Sequence, residues 1–93
     1  LSKLAHVRMS PHVWGGAVGL AAALHFAASL YPWPHSDNVP FPVLLEYDRG
    51  KNALRDELLR SPIKYIDGHL QVPDGPGLGI ELNWDIIEKY RIN

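Results

Sequence analysis

Two side chains in this sequence, His12 and Glu46, have the type and spacing to move a proton together. His12 lies in Met9–Trp14 (MSPHVW), which Pro11 bars from a continuous helix and which reads as a short strand ending near the histidine. Imidazole exchanges protons near neutral pH, so a histidine at a strand end fits a general base. Glu46 lies near the end of Val43–Tyr47 (VLLEY), a short apolar strand far enough along the chain for one strand–helix–strand crossover. Two consecutive strands of a parallel barrel would bring both groups to one rim, where such folds keep their active sites. As a pair they could act as base and acid on opposite sides of a substrate. Each also has a plainer reading. His12 could be a structural histidine bonded to a backbone carbonyl, which composition alone favours, and Glu46 could pair with Arg49 or Lys51. Trp14 is a packing residue by type, but near enough to His12 to form a pocket wall.

The element that must position this pair is the apolar run behind His12. Gly15-Gly16 supplies a bend, and a helix is expected over Ala17–Leu30. Its large apolar side chains are Leu20, Leu24 and Phe26, and it is apolar nearly all round except His25 and Ser29, the mark of a buried or membrane helix. Val13–Leu30 is at the lower limit for a membrane span and imitates a signal peptide. The glycine pair, the Pro-His pair and a hydrophobicity drawn mostly from Ala and Gly argue against both. A buried helix of a larger α/β protein is the favoured reading, with His25 a satisfied core residue.

Around this centre, Leu1–Arg8 has helical spacing for the end of a helix. Tyr31–Pro42, with four prolines, is an irregular connection that includes Trp33 as a packing residue. Asn52 is placed to cap a short helix, Ala53–Arg60, which Ser61-Pro62 stops. Ile63–Ile66 and His69–Val72 flank Asp67-Gly68, a strong hairpin signal. A tight turn over Pro73–Gly77 and an extended Gly79–Leu82 lead to Asn83, which should cap a last helix, Trp84–Tyr90.

Nine basic and ten acidic residues give a net charge of −1, with no basic excess for a phosphate backbone, so no nucleic-acid partner is expected. The absence of cysteine excludes disulfides and thiolate chemistry. The histidines show no regular metal-ligand spacing. The glycines near Gly75–Gly79 lack the Lys-Ser/Thr of a phosphate loop.

Three blocks taken together, MSPHVWGGAVGLAAALHFAASL, LLEYDRGKNALRDELL and DGHLQVPDGPGLGIELNWDIIEKYRI, resemble the C-terminal end of the mandelate racemase/muconate lactonizing group of the enolase superfamily. The similarity is greatest to its acid-sugar dehydratases and cycloisomerases. It implies an α/β fold, the C-terminal portion of a (β/α)7β TIM-like barrel. Residues 1–50 would form strand seven, its helix and strand eight. Residues 51–93 would run back to an α+β capping domain. By the same resemblance His12 matches the base at the end of strand seven, and Glu46 the strand-eight carboxylate that donates a proton or hydrogen-bonds the enolate. The reaction implied is abstraction of the proton α to the carboxylate of a sugar acid, with Mg²⁺ stabilising the enediolate. The Mg²⁺ ligands, and the Asp that orients the histidine, are expected outside this chain.

The expected protein is therefore a part of a cytoplasmic, homo-oligomeric enzyme whose partners are the rest of the barrel and the capping domain, with no membrane association. The rivals are a non-catalytic binding or scaffold module that folds alone, and a degenerate homologue. A cooperative thermal melt of the isolated 93 residues would favour the module.

Overall fold

The computed structural model describes residues 1–30 and 42–93. The Trp33 packing role and residues 31–41 of the connection lie outside them.

Strand β1 (His12–Val13) leads through Gly15-Gly16 into helix α1 (Ala17–Ser29), and the chain returns to strand β2 (Glu46–Tyr47). β1 and β2 pair in parallel, the geometry that requires a crossover between them. The sequence expectation of a strand–helix–strand unit holds here, and α1 ends one residue before the expected Leu30. Termination is local. The Ser29 hydroxyl donates to the Phe26 carbonyl (2.6 Å), and Leu30 turns extended at ψ 141°.

α1 differs from the expectation of burial on nearly all sides. Ala17, Leu20, Ala21, Leu24 and Ala27 form one buried stripe at helical spacing, whereas Val18 and Phe26 are exposed. Burying Leu20 and Leu24 stabilises the fold by about 1.5–3 kcal/mol each. The small residues between them let helix α2 (Ala53–Asp56) approach closely, and a Cβ at Gly16 would fall 3.4 Å from the Leu54 carbonyl oxygen. No helix among the described residues is long and apolar enough to cross a membrane.

Other expectations meet corrections. Leu1–Arg8 is not the end of a helix but an irregular turn, in which Ala5 N–H donates to the Leu1 carbonyl (3.0 Å) and His6 takes φ +53°. A positive φ there breaks any helical run. α2 stops at Asp56 because residues 58–60 are drawn into extended pairing with 81–83. Leu59 bridges Leu82, and Arg60 N–H donates to the Glu81 carbonyl (2.9 Å). Asn83 stands at the start of helix α3 but its side chain makes no cap bond, its backbone N–H donating instead to the Leu58 carbonyl (2.9 Å).

The hairpin forms as expected, in a shorter version. Strands β3 (Tyr65–Ile66) and β4 (His69–Leu70) pair antiparallel around Asp67 and Gly68, both at positive φ (47° and 81°), as a two-residue hairpin turn requires. α3 spans Trp84–Tyr90, the expected range, with Asp85 in its first turn and Lys89 in its last. Its Tyr90 hydroxyl donates to Glu57 (3.4 Å), and Lys89 lies 3.9 Å from the same carboxylate.

The Pro73–Gly79 loop is tied to α1 by His25, whose Nε2 donates to the Leu78 carbonyl (3.1 Å). Gly79 has φ +68°, and a Cβ there would fall 2.9 Å from the Pro73 carbonyl carbon. Gly77 has a similar φ of +64° but open space around it. Gly77→Ala should therefore cost about 1 kcal/mol from backbone strain, and Gly79→Ala about 2 kcal/mol or more, because it adds a steric clash to the same strain. Urea unfolding of the two variants checks this, and equal losses would contradict the close approach of Pro73.

Candidate functional site

The register of the parallel pair sets His12 opposite Glu46 and Val13 opposite Tyr47. Glu46 N–H donates to the Pro11 carbonyl (3.0 Å), and the Ser10 hydroxyl donates to the Leu44 carbonyl (2.9 Å), so the ladder is anchored one step further back. Facing positions of neighbouring strands present their side chains on one face. The imidazole Nδ1 lies 2.8 Å from Glu46 Oε2.

An ionised carboxylate accepts but cannot donate, so Nδ1 carries the proton in this bond. In the neutral ring the lone pair is then on Nε2. The ring is thus held in one tautomer and orientation. Both side chains are well exposed, 66% for His12 and 68% for Glu46. A polar contact this open to water contributes little to stability, so the fold does not need it for its own sake.

This arrangement differs from two sequence expectations. His12 and Glu46 touch each other rather than standing on opposite sides of a substrate, because the two strands are immediate neighbours. The carboxylate meets the histidine rather than Arg49 or Lys51, and the Arg49 guanidinium lies 4.5 Å from the Tyr65 ring centroid. Trp14 follows β1 and is 78% exposed. A groove of about 820 Å³ lies away from these three residues, lined by Lys3, His6, Arg8, Met9, Leu30 and Leu44 among others. Among the described residues no group of three His, Asp or Glu side chains could hold a metal ion.

Sequence reasoning missed the group that secures β2 from behind. Side chains alternate along a strand, so Tyr47 faces away from Glu46. The Tyr47 ring stacks on Tyr65 (centroids 5.7 Å apart, 20° between planes) and meets the Arg55 guanidinium at 5.2 Å. Arg55 also donates to the carbonyls of Asp48 and Gly50 and to both carboxylate oxygens of Asp56 (2.7 and 3.1 Å). Its side chain is 10% exposed. The hydrogen bond to Asp56 holds the guanidinium more firmly protonated than usual, against the opposing effect of desolvation. The same bond holds the Asp56 carboxyl below its ordinary range.

α2 itself is started by Asn52, whose side-chain oxygen accepts from Arg55 N–H (3.2 Å) while Asp56 accepts from Asn52 N–H (3.3 Å). This is the expected cap, with a reciprocal bond added. No local sequence signal marks Arg55, since its partners at Tyr47, Asp48 and Gly50 are set by tertiary structure.

Residues 1–86 match the family model described as enolase C-terminal domain-like. The chain belongs to this family. It is 45% identical over 99% of its length to the D-galactarolactone cycloisomerase of Agrobacterium fabrum, covering 24% of that protein. It is 34% identical over 98% of its length to the arabinonate dehydratase of Saccharolobus solfataricus, covering 22%. The 3,6-anhydro-D-galactonate cycloisomerase of Zobellia galactanivorans superposes on 96% of the chain with a TM-score of 0.71 and 38% identity, this chain covering 22% of it. The chain thus spans about a quarter of the length of the curated relatives it matches. The enolase C-terminal domain-like chain shares the α/β fold of these enzymes, and its relatives include cycloisomerases and dehydratases of sugar acids.

The depressed Asp56 carboxyl gives a pH dependence with a definite sign. Its folded pKa lies below the ordinary 3.8, so the Arg55–Asp56 pair stabilises fully above that value and is lost as pH falls through the depressed pKa. Asp56→Asn should melt below the parent protein at about pH 7, and the gap should narrow as the pH falls below 3.8. A gap that stays constant in thermal melts across that range would contradict the pairing.

Proposed function

We propose that this chain is the C-terminal barrel portion of a sugar-acid cycloisomerase or dehydratase in which His12 removes the proton α to a carboxylate. The observation that carries the reading is the 2.8 Å bond from His12 Nδ1 to Glu46, made by two exposed groups whose contact the fold does not need for stability. On this view Nε2 is the base. Glu46 is its positioning residue: it fixes the tautomer and faces the positive charge the ring gains on taking the proton. Trp14, exposed after β1, would form part of a pocket wall completed by the rest of the barrel.

Residues 1–50 are the last two barrel strands with the helix between them, and residues 51–93 lead back towards the capping domain. The thinness of the core supports this placement. Among the described residues the buried apolar set is Ala17, Leu20, Ala21, Leu24, Ala27 and Leu59, while Leu1, Leu4, Trp14, Trp84 and Ile92 are largely exposed. The radius of gyration is 15.5 Å, against about 12 Å for a compact domain of this size. Such a chain is shaped to be covered by more protein. Mg²⁺, where it takes part, draws its ligands from elsewhere in the polypeptide.

The test is exchange of the α proton with solvent deuterium, followed by NMR, in the full-length polypeptide. The panel is D-galactarolactone, arabinonate and 3,6-anhydro-D-galactonate. His12→Asn should lower exchange by about 10²–10⁴-fold or more, and exchange at the parent rate would remove His12 as the base. Glu46→Gln keeps an acceptor but loses the charge and should lower kcat about tenfold, with Glu46→Ala lowering it further and KM little changed. Unaltered turnover in Glu46→Ala would make the carboxylate a bystander.

A further inference from the structure

We infer that Arg55 and Tyr65 are positioning residues for the His12–Glu46 pair, gripping β2 and its exit from the face opposite the site, while Asn52 ties the exit of β1 to the same helix. This rests on the reading of His12 as base and Glu46 as its partner. The two-residue ladder β1–β2 has only two facing pairs to fix its register, and one of them carries the site. The backbone leaving each strand is tied to a single four-residue helix, α2. The Gly15 carbonyl, just after β1, accepts from Asn52 Nδ2 (3.2 Å). The Asp48 and Gly50 carbonyls, just after β2, accept from Arg55.

Tyr47 completes the connection. Its ring is met by Arg55 and by Tyr65 of the hairpin, and Tyr65 is in turn met by Arg49. Tyr47 is the next residue after Glu46 and points the other way, so fixing its ring fixes the backbone from which the carboxylate projects. A guanidinium this desolvated is a poor source of net stability, since apolar packing of similar volume does as well. Its planar fork does something apolar packing cannot. It binds two carbonyls and a carboxylate in fixed relative directions, which a lysine ammonium does not reproduce. α2 and the hairpin therefore set the site geometry without contributing a group to the chemistry.

Arg55→Lys, Tyr65→Ala and Tyr65→Phe in the full-length polypeptide separate this from a merely structural role. The readouts are kcat and KM for α-proton exchange and the ¹⁵N signals of His12, which report its tautomer. Arg55→Lys and Tyr65→Ala should lower kcat by about 10–100-fold with KM within about threefold of the parent. The His12 nitrogens should move from the Nδ1–H form towards a mixture of tautomers. Tyr65→Phe should behave as the parent, because the ring and not the hydroxyl makes the contact. Tyr65 is partly exposed, so its replacement leaves a folded protein even where Arg55→Lys does not. Parent-like kcat and unshifted His12 signals in folded Arg55→Lys and Tyr65→Ala would overturn the inference, as would Tyr65→Phe losing as much as Tyr65→Ala. Absence of exchange in the parent protein would remove the base reading, and the His12 signals would still decide the positioning.

Discussion

Everything in this chain is arranged around the pairing of His12–Val13 with Glu46–Tyr47. Parallel strands cannot be joined by a tight turn, so the pairing demands a long crossover, and α1 is part of that crossover. The helix is held to the rest of the fold by a stripe of alanines and two leucines. Small side chains on that stripe bring α2 close, and α2 is where the bonds to both strand exits originate. One constraint, the side-by-side placement of two short strands, thus explains the composition of α1 and the location of Arg55.

The site draws little from the core. His12 and Glu46 lie in water, and their bond is weak as a contribution to folding. Their geometry is maintained by groups on the other side of the sheet, where the guanidinium of Arg55 is largely withdrawn from solvent and its hydrogen bonds are made to backbone carbonyls and one carboxylate. The labour is divided: exposed groups suited to a proton transfer, and desolvated groups suited to holding a backbone still.

Much of this was legible in the sequence where local rules act alone. Asp67-Gly68 demanded a hairpin, Asn52 announced a helix start, and Pro11 kept Met9–Trp14 out of a helix. The strand–helix–strand order and the relation of His12 to Glu46 followed from spacing, and the motif blocks pointed to the family that residues 1–86 match. Propensity alone favoured a longer α2 and a capping Asn83 side chain, and the pairing of residues 58–60 with 81–83 decided both otherwise, while at Leu1–Arg8 a local turn with His6 at positive φ replaced the expected helix end. The stack of Tyr47 and Tyr65 joins residues distant in the chain, and no local pattern announces it. The face-to-face contact of the pair was missed because spacing places strands in a sheet but does not say how near their side chains come.

Alternation along β2 gives the carbonyl contacts of Arg55 a further meaning. A strand with two ladder positions can slide by one residue at little cost in hydrogen bonds, and a slide by one exchanges its two faces. Leu45 or Tyr47 would then stand opposite His12, and the carboxylate would be lost from that side. The carbonyls of Asp48 and Gly50, just past β2, both accept from the Arg55 fork, and a slide of the strand would displace both acceptors. Arg55 therefore works as an indexing pin, admitting β2 at a single notch. The accuracy of an exposed site is in this way underwritten by a cation it never meets.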